Sequence, residues 1–135
     1  MVTCNSAGYL DLCLDSIRRN TSYPNYEVIV IDNHSTDATA DLLRKHAADS
    51  RIRVHLLDSN PGFAAASNLA ALEASGEYLI LLNADTLVTS GWIGRLLGHL
   101  RADTGLGQVS QRDQRSLSQS SPDGRVAIAL ARNMV

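Results

Sequence analysis

The chain of 135 residues lacks the features that mark several protein classes. Its two cysteines, Cys4 and Cys13, have no CxxC spacing, and its four histidines are scattered singly, which argues against a disulfide framework or a zinc site. No apolar run approaches the roughly 20 residues that span a bilayer. The N-terminus has neither a basic segment nor an apolar stretch of signal-peptide length, which predicts a cytoplasmic protein whose membrane contact, if any, is peripheral.

Positive charge is also scarce in the main body of the chain. Residues 1–103 carry eight basic and twelve acidic side chains, whereas residues 104–135 carry four and two. A nucleic-acid surface needs clustered Lys and Arg to displace counterions, so the acidic body argues against nucleic acid as a partner. A phosphate ligand would need help from a metal ion or from helix N-termini.

Four short apolar runs alternate with four segments of helical period. The predicted strands are residues 1–4, 26–32, 52–57 and 77–82, and the second and fourth are nearly continuous in Val, Ile and Leu. Such runs are typical of parallel strands buried on both faces. The expected helices have apolar stripes at Leu10, Cys13, Leu14 and Ile17; at Ala38, Leu42 and Leu43; within 62–75; and at Ile93, Leu96, Leu97 and Leu100.

Smaller features refine this assignment of helices. Asp37 or Ser35 is placed to cap the second helix, and Gly76 to end the third. Cys13 lies on an apolar stripe, which predicts a buried structural thiol.

The alternation βαβαβαβα predicts an α/β fold, a Rossmann-like three-layer sandwich with a mostly parallel sheet. Right-handed crossovers favour the strand order 3-2-1-4. In that order, the carboxyl ends of strands 1, 2 and 4 border the topological switch point, where ligands bind. The loops of interest therefore begin at Asn5, Asp32 and Asn83.

Both ends of the chain differ from a complete domain. The first strand is short for a central strand, so we expect a truncated chain that lacks several residues. Residues 110–121 contain five Ser, three Gln and only one apolar residue, Leu117, which predicts a loop or a disordered segment. Residues 126–131 either pair as a strand or form a frayed tail.

Asp32 ends a predicted strand and precedes a polar loop that enters a helix. A carboxylate at this position accepts hydrogen bonds from a ribose hydroxyl or a base N–H, and the helix N-terminus beyond it favours anions. The structural alternative is an Asx-turn that merely starts the helix, and Asp37 fits that role better.

A second group of polar residues, Asn83-Ala84-Asp85-Thr86, follows the fourth predicted strand. Carboxylate and amide oxygens are ligands for Mg²⁺ or Mn²⁺ ions that carry substrate phosphates. The alternative is a simple helix-entry turn. Strand 1 lies between the strands that carry Asp32 and Asp85. At about 4.8 Å per strand, the two residues are expected roughly 10 Å apart.

The segment 60–68 opens the third helix with small residues, of which Gly62 allows close approach of the backbone to a ligand. It contains neither GxGxxG nor a Gly-Lys-Ser/Thr sequence, so neither a dinucleotide fingerprint nor an ATPase P-loop is supported. Taken alone, this pattern is more often a matter of packing than of binding.

Five motifs occur in an order that resembles the nucleotide-sugar half of a family 2 glycosyltransferase of the GT-A fold, in its rhamnosyltransferase-like branch. They lie within residues 2–17, 23–37, 60–64, 76–86 and 91–92, so the resemblance covers about residues 1–103. Asn83 occupies the first position of the family's DxD motif. The resemblance implies a donor domain over 1–103, and residues 104–135 would be a loop or poorly ordered tail that begins the missing acceptor half.

The resemblance also implies site residues. Asp32 would contact the base of a UDP- or dTDP-sugar, and Asp85 would hold Mg²⁺ or Mn²⁺ at the diphosphate. The other donor-binding residues would be Thr3, Asn5, Asn33, Gly62, Phe63, Asn68, Asn83 and Ala84. The reaction implied is inverting transfer of the sugar to a hydroxyl of a glycan or lipid-linked acceptor in cell-surface or polysaccharide synthesis.

The acceptor half has no counterpart in this sequence. Asp103, Asp113 and Asp123 stand in the wrong context for the acceptor base, so the catalytic base is expected outside this chain. One alternative is a nucleotide-sugar-binding module or inactive fragment without transferase activity. Another is a flavodoxin-like or receiver domain, which predicts an acidic pair after the first strand, where Asn5-Ser6 stands instead.

Overall fold

The computed structural model describes residues 1–102 and the backbone of residues 126–129. Strands and helices alternate as the sequence predicts. The elements are β1 (Val2–Thr3), α1 (Ala7–Asn20), β2 (Tyr26–Asp32), α2 (Thr39–His46), β3 (Ile52–Leu56), α3 (Phe63–Glu73), β4 (Tyr78–Leu81), α4 (Trp92–Ala102) and β5 (Val126–Ala129). None of the helices in these residues is long and apolar enough to cross a membrane.

The sheet is parallel at every strand pair described, as expected, but its order differs from 3-2-1-4. β3 pairs with one edge of β2, and both β1 and β5 pair with the other. β1 has only two residues and pairs with Ile31 and Asp32, so the backbone of 26–29 remains available for β5. β4 then pairs with β5.

Two hydrophobic clusters on opposite faces of the sheet confirm the three-layer arrangement. On one face, Val28 and Val30 of β2 pack with Leu14 of α1, Leu43 of α2 and Leu97 of α4. On the other face, α3 packs against β1 and β2, and the cluster comprises Val2, Ile29, Ile31, Ala66 and Ala70. Right-handed crossovers explain this division, because the chain moves from β1 to β3 in one direction and returns to β4 through α3.

The expectation that β4 is buried on both faces is wrong. Leu79 and Leu81 are 45% and 55% exposed, whereas all seven residues of β2 are buried. Leu81 aligns through Ala129 of β5 with Ile29, so both exposed leucines lie on the α3 side of the sheet. α3 packs over β1, β2 and β5, and many of its side chains are short alanines. The helix therefore does not cover this side of β4.

α3 ends earlier than Gly76, the residue expected to stop it. Ala74 already has an extended backbone. The backbone N–H and the hydroxyl of Ser75 both donate to Oε1 of Glu27, at 2.9 and 2.7 Å. The buried Glu27 carboxylate, which also pairs with Arg53 at 3.1 Å, therefore fixes the chain after the helix. The predictions for 104–125 and for residues 130 and 131 lie outside the described residues.

Candidate functional site

Asp32, the last residue of β2, is a buried carboxylate at the carboxyl edge of the sheet. It is 3% exposed. Its Oδ1 accepts a hydrogen bond from the Ser35 hydroxyl. Among the described residues, its Oδ2 receives only a long one, 3.4 Å, from the Ser35 backbone N–H. A charge removed from water needs such partners. The side chain is thereby held from one side, and Oδ2 retains acceptor capacity.

Asn5 joins the loop after β1 to the loop after β2. Its backbone has a φ of 48°, in the left-handed region that Asn tolerates better than most residues. Its Oδ1 accepts from the backbone N–H groups of Thr36 at 2.7 Å and Asp37 at 3.3 Å, and its own N–H donates to Ser35 Oγ at 2.9 Å. These contacts give Asn5 a structural role in the site that the sequence did not indicate.

Two threonines complete the connection between these loops. Thr3 Oγ1 lies 2.6 Å from Ser6 Oγ, and the Ser6 backbone N–H donates to Thr39 Oγ1 at 3.2 Å. Both threonines are buried. The first turn of α1 is thus fixed to the start of α2.

The N-cap position of α2 is Ala38, so neither Asp37 nor Ser35 is the N-cap residue that the sequence favoured. Asp37, one residue earlier, instead binds the first helical N–H, and Ser35 binds Asp32. Asp37 Oδ1 accepts from the Thr39 backbone N–H at 2.9 Å. Hydrogen bonds from the Thr39 side chain and backbone lower the pKa of the Asp37 carboxyl.

Asn33 connects β2 to the loop before α3. Its Nδ2 donates to Asn60 Oδ1 at 2.6 Å, and the same Asn60 oxygen accepts from the Gly62 N–H at 2.9 Å. Because only an oxygen can accept from that backbone N–H, the orientations of both amides are fixed. Asn33 Oδ1 is therefore a buried acceptor, and it has no partner among the described residues. Asn60 is the first residue of the segment 60–68, and nothing in the sequence indicated this role.

The entry to α3 depends on Gly62. Its φ of 90° and ψ of 164° belong to a region that is essentially restricted to glycine. Phe63 follows as the first helical residue and packs partly buried against the α3 side of the core. Asn68 is exposed on α3 and makes no hydrogen bond to these loops in the described part of the chain.

Asp85 lies in a turn after β4, in which the Thr86 N–H donates to the Asn83 carbonyl at 3.1 Å. Ala84 is buried in the core beneath the turn, whereas Asp85 is exposed. Residues 1–102 contain no group of three or more His, Cys, Asp or Glu side chains that could hold a metal. In the described part of the chain, this turn offers the exposed Asp85 carboxylate two residues after the Asn83 amide, and such hard oxygen donors fit Mg²⁺ or Mn²⁺ if a diphosphate supplies further ligands.

The chain is similar to several glycosyltransferases. The glycosyl transferase family 2 model matches residues 1–126. The chain is 37% identical over 82 residues to the putative teichuronic acid biosynthesis glycosyltransferase TuaG of Bacillus subtilis. This alignment covers 60% of this chain and 32% of TuaG. It is 30% identical over 114 residues to glycosyltransferase GlyG of Streptococcus pneumoniae, and this alignment covers 82% of this chain and 38% of GlyG. It thus spans about a third of the length of these relatives.

Solved structures show the same fold. The mannosyltransferase PcManGT of Pyrobaculum calidifontis, in complex with GDP-Man and Mn²⁺, matches with a TM-score of 0.71 and 30% identity over 78% of this chain and 32% of that protein. Residues 1–349 of S. aureus TarS match with a TM-score of 0.68 and 24% identity over 88% and 37%, which shows the fold alone. The fold is that of the GT-A glycosyltransferases. On the extent of the family match, the chain belongs to glycosyl transferase family 2.

Proposed function

We propose that this chain is the donor-binding part of a glycosyltransferase that moves a sugar from a nucleoside diphosphate sugar to an acceptor hydroxyl. The observation that carries the proposal is the buried Asp32 carboxylate at the carboxyl edge of a family 2 sheet, with one oxygen held by Ser35 and the other still able to accept. Ligands of such sheets bind at this edge. The two parts of the proposal are the nucleoside contacts and the metal contact.

The nucleoside part uses the ends of β1, β2 and β3. Asp32 accepts an N–H from the base, and Asn33 Oδ1, which has no hydrogen-bond partner among the described residues, accepts from a ribose hydroxyl. Gly62 and Phe63 form the wall, while Asn68, being exposed on α3, contributes least. Thr3 and Asn5 act indirectly, because their hydrogen bonds hold the two loops.

The metal part uses Asp85, with Asn83 and Ala84 in the same turn. A bound Mg²⁺ or Mn²⁺ supplies Lewis-acid stabilisation of charge on the leaving diphosphate. The complex of PcManGT with GDP-Man and Mn²⁺ supports both a nucleotide-sugar donor and a divalent metal. Asp85 holds the metal side of the site, and the Asn83 amide provides a neighbouring oxygen.

The acceptor side of the reaction lies outside the donor half. A base from another part of the enzyme removes the proton of the acceptor hydroxyl. The acceptor oxygen then bonds to the anomeric carbon as the diphosphate leaves, and this single displacement inverts the configuration. The name of TuaG, a putative teichuronic acid biosynthesis glycosyltransferase, supports a role in cell-surface glycan synthesis. We propose a glycan or a lipid-linked molecule as the acceptor. We propose a cytoplasmic location for the reaction, with any membrane contact peripheral, and cell fractionation tests that location.

Saturation-transfer NMR with UDP-, dTDP- and GDP-sugars and Mn²⁺ tests donor binding directly. We expect saturation of base and ribose protons by the wild-type chain and its loss in Asp32→Ala. The control is Glu77→Ala, which removes an exposed carboxylate just before β4, at the opposite end from Asp85. Binding of none of these donors by the folded chain, or unchanged saturation in Asp32→Ala, would contradict the proposal.

A further inference from the structure

Ser35 lies between the backbone of Asn5 and the carboxylate of Asp32 and is hydrogen-bonded to both. Its Oγ accepts from the Asn5 backbone N–H at 2.9 Å and donates to Asp32 Oδ1. Its own backbone N–H lies 3.4 Å from Asp32 Oδ2. One residue therefore contacts both oxygens of the buried carboxylate.

The direction of these hydrogen bonds follows from the donor inventory. A serine hydroxyl has one proton, and an ionised carboxylate accepts only. Because the Asn5 N–H already uses Ser35 Oγ as an acceptor, the hydroxyl proton is free to point at Asp32. The orientation of the pair is thus determined without ambiguity.

The backbone of Asn5 is itself fixed. Its left-handed conformation, with φ of 48°, is stabilised by the hydrogen bonds from Thr36 and Asp37 to its side-chain oxygen. The N–H that meets Ser35 consequently cannot swing away without breaking these bonds. Asn5, Ser35 and Asp32 form a chain of contacts that we call the Asn5–Ser35–Asp32 relay.

The relay leaves one oxygen of Asp32 for a ligand. Oδ1 accepts the hydrogen bond from the Ser35 hydroxyl, whereas Oδ2 has, within residues 1–102, only the long contact with the Ser35 backbone N–H. An ionised carboxylate oxygen can only accept a hydrogen bond, so it favours a base that presents an N–H donor to it. Uracil, thymine and guanine carry a ring N–H on their pairing edge, whereas the corresponding ring nitrogen of cytosine and adenine is an acceptor.

We propose that Ser35 is a positioning residue that holds Asp32 so that Oδ2 selects bases with a ring N–H. This inference rests on the proposed function, since it assumes that Asp32 meets the base. Ser35 itself does not contact the nucleotide; it acts through the carboxylate. Its removal therefore impairs recognition of the base and leaves recognition of the diphosphate at Asp85 intact.

The test compares dissociation constants of UDP, GDP, CDP and pyrophosphate in Mn²⁺ for wild type and Ser35→Ala. A hydrogen bond to a charged group is lost, so we expect UDP and GDP to bind about tenfold more weakly. The preference for UDP over CDP should fall by a similar factor, and pyrophosphate binding should not change. A purely structural role would weaken all four ligands together and would overturn the proposal.

Three further variants complete the experiment. Ser35→Thr keeps the hydroxyl and should retain the wild-type preference, and Ser35→Cys, a weaker donor of similar size, should lose it in part. Ser67→Ala is the matched control, because Ser35 and Ser67 are both partly buried and the Ser67 hydroxyl has no partner in residues 1–102. Should Ser35→Ala fail to fold, the Thr and Cys variants decide, and equal preference in the two would refute the inference.

The Asp32→Ala variant separates this inference from the proposed function. If Asp32→Ala weakens UDP while Ser35→Ala and Ser35→Cys match wild type, the positioning role is wrong and the donor site stands. If Asp32→Ala also binds UDP as wild type does, the base contact itself is wrong and the relay loses its purpose.

Discussion

The thiol of Cys13 on α1 donates a hydrogen bond to the carbonyl oxygen of Asn83 at 3.6 Å, across 70 positions of sequence. This contact attaches the first helix to the turn that carries Asp85. Burial raises the pKa of the Cys13 thiol to about 12, and the nearby Asp85 charge adds to the effect of burial. The predicted structural thiol is thus confirmed as buried.

The two cysteines should react very differently with a thiol reagent. Cys4 is partly exposed and Cys13 is buried. Because the thiolate is the reactive form, we expect one fast thiol per folded chain at pH 8 and two after unfolding in urea. Cys4→Ala should remove the fast phase, and a fast phase that persists in this variant would contradict the burial of Cys13.

Stability should decline at high pH through Cys13. Its pKa rises from 9.0 to about 12 on folding, so the unfolded chain releases this proton first. The stabilisation is complete below about pH 9 and is lost as the pH rises toward 12. Urea unfolding from pH 8 to 11 should show a steeper decline for wild type than for Cys13→Ala, and parallel curves would disprove the shift.

Two glycine substitutions should have opposite effects on stability. Gly62→Ala places a side chain at φ 90°, so it should cost about 1–3 kcal/mol, although the new Cβ would meet no described residue within 4 Å apart from its chain neighbours. Gly94→Ala lies inside α4 with equally open space and should stabilise by about 0.5–1 kcal/mol. Urea denaturation measures both, and a neutral Gly62→Ala would contradict the backbone geometry at the start of α3.

Hydrophobic periodicity was sufficient to predict the four helices and the first four strands. The stripe of Leu10, Cys13, Leu14 and Ile17 is buried as expected. Apolar residues that repeat every 3.6 positions lie on one face of a helix, and that face packs against the core. The near-continuous apolar run of β4 was misleading. A run of Leu and Ile indicates that both faces of a strand can be apolar. It does not indicate whether a neighbouring helix, here α3, covers both faces of β4.

The strand order and the internal contacts of the site could not be predicted from the sequence. Which strand pairs with residues 26–29 depends on the length of β1, and neither pattern nor propensity specifies it. The sequence placed Asp32, Asn33 and Gly62 at strand and helix ends. The partners Ser35 and Asn60 are ordinary loop residues by composition, so their hydrogen bonds to Asp32 and Asn33 had no sequence signal.

The most direct test of the account is calorimetric titration of UDP, dTDP and GDP, with and without Mn²⁺, into wild type, Asp32→Ala and Asp85→Ala. Asp85 is exposed, so its removal should leave the fold intact and abolish the gain in affinity from Mn²⁺. Asp32→Ala should weaken the nucleotide by a similar factor with and without metal. Full Mn²⁺ dependence in Asp85→Ala, or no binding of any of the three nucleotides by folded wild type at millimolar concentration, would contradict the assignment of this edge of the sheet as a donor site.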